Sequence, residues 1–484
     1  MQNFSHSQTN VNFQNGFLFQ TGNYFIYDIP GSLQEQIIRS MNVSIGDCTS
    51  LYSWYSWPNV ILCFFGGYLI DRVLGVRFAA TLFALFIFLG QLITSLGAYW
   101  NHFWIMQLGR FVFGIGGESL AVAQNTYAVS WFKGRELNMI FGFQLSFARV
   151  GSSFSFIVLY PIYEWVVDNF QVADNIRLSI TLLIAALTCL LSLISAIILG
   201  ALDKRAERIL QREVVHSEEK IQLRDVTKFC FNFWVLSAIC VCFYITIFPF
   251  VGLASVFFKH KYHITLAQAN NVNSSIYLVS AIVSPFFGFL IDCTGRNVLW
   301  ISVGTILAMI SHALVAFTST PPYLISITLG LGYSILASAL WPMISLIIPE
   351  RQLGTAYGMM QAIQNLGLGV SAWIAGIIVD YKGYVFLENL FLMSLSLTLF
   401  LILLCLIMDA RSGFILNMSA KQRASIESEK AAANAVAKEK GHQNGHSEPE
   451  TNGGTTAHLD EDAQSRNRYL SKESAHNRTS ELVQ

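Results

Sequence analysis

Charge is scarce in this chain: only 12% of its 484 residues are Asp, Glu, Lys or Arg, and the formal net charge is zero. A soluble domain carries about 25% charged residues, so this composition argues against a water-soluble fold. A neutral chain also offers no basic surface for nucleic acid. The composition therefore excludes a nucleic-acid-binding protein and favours a membrane protein.

Motifs that carry catalytic chemistry are also lacking. The sequence contains no zinc-ligand spacing, P-loop, dinucleotide-binding or nucleophile-elbow motif. Most of the eight cysteines lie in apolar runs, where free cysteine behaves as a small buried hydrophobe. We therefore expect no enzyme activity, no cofactor and no metal site. Residues 1–15 also lack the positively charged start and the cleavage site of a signal peptide.

Long apolar runs are what the chain does have, and 53% of its residues are hydrophobic. A transmembrane helix needs ~20 apolar residues, and a helix satisfies its backbone groups within its own segment. The runs predict an all-α polytopic membrane protein with 12 helices, at about 17–29, 49–70, 77–99, 103–132, 137–163, 177–202, 229–258, 267–291, 297–318, 322–348, 353–379 and 385–408. Helix 1 is predicted to be shortened, because its apolar run covers only Phe17 to Ile29 and meets Pro30. A truncated start is the favoured explanation, and a partial span packed against its neighbours is the alternative.

The distribution of polar residues predicts five segments. These are a polar N-terminal segment (1–15), an N-terminal six-helix half (16–202), a charged connector (203–228), a C-terminal six-helix half (229–409) and a disordered tail (410–484). The tail is rich in Ser, Glu and Lys and cannot bury a core. Lys and Arg concentrate in the links that follow even-numbered helices. The positive-inside rule then places these links and both termini in the cytosol.

The two predicted halves share a short repeat. Gly67-Tyr-Leu-Ile-Asp71 closes helix 2, and Gly288-Phe-Leu-Ile-Asp292 closes helix 8. Similar halves joined by a charged connector are typical of parallel-repeat transporters. A carboxylate at a helix end can pair with a basic residue or with a neighbouring helix N-terminus. We therefore predict a conformational latch formed by Asp71, Arg72, Asp292 and Arg296.

These strings resemble the cytoplasmic-loop signature of the major facilitator superfamily, Gly-x-Leu-x-Asp-Arg-x-Gly-Arg. The second copy keeps the spacing, whereas the first has one extra residue between Asp71 and Gly75. The string Arg-Phe-Val-Phe-Gly-Ile-Gly at 110–116 resembles the superfamily motif Arg-x-x-x-Gly-x-Gly. The resemblance covers about residues 17–409 and implies a transporter fold of two six-helix halves.

Longer strings at 54–67 and 108–134 resemble the major facilitator superfamily domain-containing protein 1 group, the lysosomal dipeptide transporters. The resemblance implies passive export of dipeptides from the lysosomal lumen to the cytosol. It also implies a single-pass glycosylated accessory protein in the lysosomal membrane, and it matches Glu118 and Arg149 to the group's dipeptide-binding acid and base. The acidic dileucine sorting signal that the group carries is absent from residues 1–15.

The charged residues at membrane depth are the main site candidates. Arg110, Glu118 and Arg149 lie inside the apolar runs of predicted helices 4 and 5, where each charge costs about 2.5 kcal/mol or more. Glu118 lies ~22 Å along its helix and Arg149 ~18 Å along its own, so both fall near the middle of a ~30 Å core. Glu118 suits the ammonium of a dipeptide, and Arg149 offers a two-pronged donor for its carboxylate. The alternative is that the two side chains pair with each other and stabilise the half.

Weaker candidates surround this pair. Arg110 is either a binding residue or a helix-packing residue, and Asp28 in helix 1 could face the cavity. The second half is nearly uncharged within its spans, and its lone His312 is typical of a packing histidine. Tyr357, Gln361 and Asn365 share one face of helix 11, which indicates a cavity wall. Tyr333, Trp341, Gln364 and Trp373 are further polar and aromatic candidates, with lipid or core packing as the alternative for the tryptophans.

Three functions stay open at this point. A uniporter for dipeptides is the main expectation, because the chain lacks the glutamate-rich helix 1 motif of proton-coupled peptide transporters. The second is a proton-coupled carrier of another small organic solute, for example an organic anion held by Arg149 alone. The third is a non-transporting membrane scaffold for a glycoprotein partner, in which Glu118 and Arg149 are dispensable.

Overall fold

The computed structural model describes residues 22–425 except 69, 71–73, 132–134, 211–228, 349–351, 412 and 423–424. Within these residues every regular element is a helix, apart from an isolated bridge between Gly295 and Ser419. The predicted N-terminal segment (1–15), most of the predicted connector and the greater part of the predicted tail lie outside the described residues.

The described helices alternate with short links. In chain order they are α1 (22–27), α2 (Ile29–Ser32), α3 (Gln34–Met41), α4 (Ile45–Tyr68), α5 (Val76–Tyr99), α6 (Phe103–Trp131), α7 (Arg135–Asn169), α8 (Asp174–Leu210), α9 (Phe231–Tyr262), α10 (Leu266–Thr294), α11 (Asn297–Phe317), α12 (Pro322–Ile347), α13 (Leu353–Lys382) and α14 (Tyr384–Arg411). Among the described residues, nine helices are long and apolar enough to cross a membrane: α5 and α7 to α14. The predicted all-α polytopic fold is confirmed.

The first span is longer than its apolar run predicts. The helical path breaks at Asp28 and again at Leu33, but it continues to Met41 instead of ending at Ile29. Pro30 is accommodated because it lies in the first turn of α2, where a missing N–H breaks no helical hydrogen bond. Ile37 and Met41 of α3 are buried in the core of the N-terminal half. Packing therefore stabilises residues 34–41 as a helix, although the polar residues of this stretch argue against a transmembrane helix in the sequence.

Each half has its own core. In the N-terminal half (α1–α8), α5 packs against α6 and α8, and in the C-terminal half (α9–α14), α12 packs against α10 and α11. The halves meet where α4 packs against α13 and α7 packs against α10. Small residues allow close helix approach: a Cβ on Gly90 of α5 would lie 2.4 Å from the backbone nitrogen of Phe113.

The start of the predicted tail is ordered, contrary to the sequence prediction. The Asp409 carboxylate accepts hydrogen bonds from the backbone N–H groups of Leu416 (2.8 Å) and Asn417 (2.9 Å). The segment then meets the turn between α10 and α11, where the N–H of Arg296 donates to the carbonyl of Met418 at 3.0 Å. Gly295 has a φ of +68°, and a Cβ there would lie 2.5 Å from that same carbonyl oxygen. Glycine is thus required at this turn by both backbone conformation and space.

Candidate binding site between the two halves

Glu118 of α6 connects the two halves of the molecule. The Tyr55 hydroxyl of α4 donates to its Oε1 at 3.2 Å, and the Gln361 amide of α13 donates to its Oε2 at 3.1 Å. The Glu118 side chain is half-buried. The carboxylate is therefore held by one neutral donor from each half while part of its surface stays open.

Arg149 of α7 also reaches across to the C-terminal half. Its Nη1 donates to the carbonyl of Ser280 at 3.3 Å and to the hydroxyl of Ser284, both on α10. The guanidinium carbon lies 4.7 Å from the centroid of the Tyr333 ring of α12, within the range of a cation–π contact. Arg149 is only 6% exposed, so hydrogen bonds and a ring face replace the water that the guanidinium loses.

The two predicted ligand residues thus have separate partners. Glu118 is bound by a hydroxyl and an amide, and Arg149 is bound by a carbonyl, a hydroxyl and an aromatic ring. This conformation does not show the acid–base pair that the sequence left open as an alternative. An acid and a base held by neutral groups are free to exchange those groups for a charged ligand, which charge-assisted hydrogen bonds would favour.

Arg110 is bound within the N-terminal half. Its guanidinium donates to the backbone carbonyls of Ile26 (3.1 Å), Tyr27 (2.8 Å) and Leu51 (3.3 Å), and the residue is 1% exposed. The break at Asp28 frees the carbonyls at the end of α1 from helical bonding, so a donor is needed there. This geometry supports the helix-packing role of Arg110, and a direct role in binding stays a prediction.

Asp28 lies at the same break and faces the C-terminal half. The Tyr277 hydroxyl of α10 donates to its Oδ1 at 3.4 Å, and the Asp28 side chain is buried. The neighbouring Tyr27 ring lies 4.8 Å from the ring of Tyr55, the residue that binds Glu118. Asp28 is therefore part of the interface that contains the candidate site.

The three residues predicted to share one face of α13, namely Tyr357, Gln361 and Asn365, contact different neighbours. Gln361 binds Glu118, and Asn365, one turn further, donates to the Gln361 carbonyl at 3.0 Å and lies 3.8 Å from Cys63 Sγ. Tyr357, one turn before, donates to the carbonyl of Trp341 at 3.2 Å. Gln361 and Asn365 therefore face the N-terminal half, whereas Tyr357 binds within the C-terminal half.

Trp373 is not brought to this group. It is 52% exposed and shares an outer face of α13 with Leu366, Val370 and Ile374, which are exposed as well. An apolar face of this kind is typical of lipid contact in a membrane-spanning helix. The geometry supports the lipid-facing alternative for this tryptophan.

An aromatic wall adjoins Arg149 in the C-terminal half. Tyr244 stacks on Phe248 with ring centroids 5.6 Å apart, and both rings lie edge-on to Tyr333 at 6.1 and 6.2 Å. The Trp341 indole donates to the Tyr244 hydroxyl at 3.0 Å. Trp341 also stacks on Tyr357 at 6.3 Å. The wall offers apolar surface with hydroxyl groups beside the guanidinium.

Several functional neighbours are missed by sequence reasoning. Tyr55 belongs to an aromatic cluster typical of a membrane interface, yet it binds Glu118. Tyr277, Ser280 and Ser284 carry no sequence signal beyond a polar atom within an apolar run. The only clue is that such atoms need a partner at membrane depth.

The C-terminal half is also less neutral than predicted. His312 Nδ1 and the Glu388 carboxylate lie 2.7 Å apart, and both side chains are almost fully buried. The Phe250 ring lies edge-on to His312 at 5.0 Å. This pair joins α11 to α14 within one half, away from the contacts between the halves.

Only half of the predicted latch is described. Asp71 and Arg72 lie outside the described residues, whereas Asp292, in the last turn of α10, and Arg296, just before α11, are exposed. Arg296 has a φ of +54° and donates its N–H to the carbonyl of Met418. The latch stays a prediction.

The family follows from comparison with known proteins. The model of the Major Facilitator Superfamily matches residues 16–253 and 235–417, which together span both halves. The chain belongs to the Major Facilitator Superfamily. The predicted resemblance is confirmed, and membership makes the chain a transporter and not an enzyme.

Within the superfamily, curated relatives share about half of their residues with the chain. The lysosomal dipeptide transporter MFSD1 of Danio rerio is 52% identical over 402 residues, covering 83% of this chain and 87% of the relative. Its Homo sapiens counterpart is 50% identical over 406 residues, covering 84% and 87%. The Gallus gallus counterpart is 45% identical over 413 residues, covering 85% and 88%.

A solved superfamily structure shares the fold at low identity. It is a bacterial homologue of the human drug peptide transporters PepT1 and PepT2, with a TM-score of 0.63 and 13% identity. The match covers 84% of this chain and 99% of the other. At this identity the likeness shows the fold alone.

Proposed function

We propose that the protein is a lysosomal dipeptide uniporter that exports dipeptides from the lumen to the cytosol by alternating access. The observation that carries the proposal is the placement of one acid and one base, Glu118 and Arg149, at the contact between the halves. The curated relatives bear the name lysosomal dipeptide transporter, which supports the substrate class and the compartment.

The chemistry of the two residues matches a zwitterion. Glu118 would bind the substrate ammonium, and the planar guanidinium of Arg149 would bind its carboxylate through two parallel hydrogen bonds. Both ends belong to the main chain of every dipeptide, so the site would accept many side chains. The aromatic wall around Tyr333 supplies apolar surface for a side chain next to Arg149.

Binding would also act on the contact between the halves. In this conformation, Glu118 accepts from Gln361 and Arg149 donates to Ser280 and Ser284, all of the C-terminal half. A substrate that takes over these bonds replaces contacts between the halves with contacts to itself. Such differential contacts are what a ligand needs to shift an equilibrium between conformations.

Facilitated diffusion fits the charge requirement of the site. Glu118 has to stay ionised to hold an ammonium, so its protonation would compete with binding instead of driving it. Asp28, a second buried carboxylate bonded across the halves, supports a proton-coupled carrier as the second candidate. The single-pass glycosylated accessory protein and the cytosolic termini stay predictions from the resemblance and from the positive-inside rule.

The test is flux of radiolabelled dipeptide into proteoliposomes that contain the purified full chain. We expect counterflow that ignores a collapsed proton gradient and that is lost in Glu118→Gln and Arg149→Ala. Arg149→Lys keeps the charge but not the planar fork, so it should restore only part of the flux. Glu164→Gln is the control, because Glu164 is an exposed carboxylate on the same helix as Arg149.

Two results would contradict the proposal. Flux that follows the proton gradient would favour the proton-coupled carrier, and Asp28→Asn would then abolish the coupling. Absence of flux for every dipeptide from a folded chain would favour the scaffold.

A further inference from the structure

A carboxylate of one half caps a helix of the other half. Asp380, near the end of α13, accepts hydrogen bonds from the backbone N–H groups of Ile45 (3.1 Å) and Gly46 (2.8 Å). These are the first two residues of α4. The first N–H groups of a helix have no partner within the helix, and its N-terminus attracts negative charge.

The acid of α4 itself does not perform this role. Asp47 Oδ2 accepts from the N–H of Ser44 at 3.1 Å and from its hydroxyl at 2.8 Å. The amides of Ile45 and Gly46 are bonded to the other half, 335 and 334 residues away in the chain, whereas the amide of Asp47 donates locally to Ser44 Oγ at 3.0 Å.

Further contacts between the halves lie at the same end of the molecule. Lys259, at the end of α9, binds the Glu35 carboxylate of α3 at 2.6 Å. Asn270, near the start of α10, donates to the Ser32 carbonyl at 3.1 Å. The distribution of Lys and Arg assigns this end to the lumen.

Backbones also approach closely beside Asp380. A Cβ on Gly376, one turn before Asp380 on α13, would lie 2.7 Å from the Cα of Gly46, whose amide Asp380 caps. The capped N-terminus, the ion pair and this glycine contact therefore have to separate if the luminal ends of α4 and α13 move apart.

We propose that Asp380 is a positioning residue that holds the luminal side of the transporter closed, by capping α4 across the halves. The proposal rests on the alternating access of the proposed function. It states which bonds break when the cavity opens to the lumen: those from Ile45 and Gly46 to Asp380, together with the Lys259–Glu35 pair.

A purely local cap would make the same two hydrogen bonds, so the test measures coupling between separate contacts. Hydrogen exchange of the full chain in lipid nanodiscs is followed at the amides of Ile45 and Gly46. Lys259→Met touches neither amide, yet it should speed their exchange about two- to fivefold, the range that loss of a partly exposed ion pair produces. Asp380→Ala should in turn speed exchange at residues 31–36 of the first span, which it does not contact.

The matched control is Asp174→Ala. Asp174 pairs with Arg39 and Arg177, and all three belong to the N-terminal half, so this variant breaks an ion pair without loosening the contact between the halves. Exchange at Ile45 and Gly46 should stay at the wild-type rate. If Lys259→Met also leaves these amides unchanged, Asp380 is a local cap and the proposal is overturned.

Sided transport provides the second measurement. A loosened luminal closure raises the luminal-open population, so Asp380→Ala should lower the apparent KM for luminal dipeptide about fivefold and leave Glu118-dependent binding intact. Hydrogen exchange needs no substrate, so the two proposals fail separately. Coupled exchange without dipeptide flux would retain the closure and reject the proposed function, whereas flux with uncoupled exchange would do the reverse.

Discussion

The two halves of the transporter contribute different chemistry to the interface. The N-terminal half supplies three charged residues that bond across the interface: Asp28, Glu118 and Arg149. The C-terminal half forms hydrogen bonds to them through neutral groups, among them Tyr277, Ser284 and Gln361. A hydrogen bond between a charged and a neutral group contributes about 1.5–3 kcal/mol net, whereas breaking a buried ion pair by removing one partner costs about 3–5 kcal/mol. The centre of the interface can therefore open without separating an ion pair.

The rim of the same interface is built differently. At the luminal end, the Lys259–Glu35 pair and the Asp380 cap join the halves through charged groups. These groups are partly exposed to solvent, where an ion pair is weak and readily exchanged. Charge thus attaches the halves at the rim, whereas at the centre it is held by neutral groups that the proposed substrate would replace.

The largest effect is expected where charge is used for packing within one half. Arg110→Ala leaves three backbone carbonyls at the break between α1 and α2 without their donor. We expect the free energy of unfolding to fall by about 3–5 kcal/mol, because each buried carbonyl left without a donor costs about 1–3 kcal/mol. Denaturant titration of the purified chain measures this, with Arg110→Lys as the variant that keeps one donor. An unchanged free energy of unfolding would contradict the packing role of Arg110 and favour a direct role in substrate binding.

Moving the acid across the interface tests the division of chemistry between the halves. Glu118→Gln should reduce dipeptide flux about 100-fold, because a charge-assisted bond to the ammonium is lost. Adding Gln361→Glu restores a carboxylate 3.1 Å from the original position. The double variant should regain at least about tenfold in flux. Failure to regain any flux would mean that the acid has to belong to the N-terminal half.

The buried pair of the C-terminal half should affect stability alone. Glu388→Gln keeps a hydrogen-bond acceptor for His312 but removes the charge. The free energy of unfolding should fall by about 1–2 kcal/mol while the apparent KM for dipeptide stays constant. The measurement pairs denaturant titration with flux at several substrate concentrations. A change in KM would place His312 and Glu388 in the transport machinery.

The smallest effect is expected on the outer face of α13. Trp373→Leu exchanges one exposed apolar side chain for another, so the free energy of unfolding should change by less than about 0.5 kcal/mol and the flux by less than about twofold. Gln361→Leu, on the same helix, is the comparison that should impair flux. A strong loss in Trp373→Leu would show that this face meets a partner or the substrate.

Charged residues are what the sequence reveals best. Glu118 and Arg149 stand out within apolar runs, and helix length alone places both near the membrane centre. Their partners do not stand out, because a tyrosine or serine in an apolar run fits core packing equally well. Which of them faces Glu118 or Arg149 depends on how the halves meet, and that is a tertiary property.

The first span shows where pattern reasoning fails. Pro30 and the polar run Gln34-Glu35-Gln36 look like the end of a helix. In the fold, proline occupies a first helical turn, and Glu35 is bonded to Lys259 of the other half. Glu388 is overlooked for a related reason, since its partner His312 is 76 residues away.

The segment after α14, residues 413–419, is bonded to α14 and to the turn between α10 and α11, so a force on the tail acts on the C-terminal half through two separate attachments. The Asp409 carboxylate accepts hydrogen bonds from the backbone of Leu416 and Asn417. The Met418 carbonyl accepts one from Arg296, in the turn that follows α10. A force applied to the tail beyond residue 418 is therefore transmitted to the turn between α10 and α11 before it reaches α14. A reporter fused after residue 422 keeps this tether, whereas truncation at residue 410 cuts it.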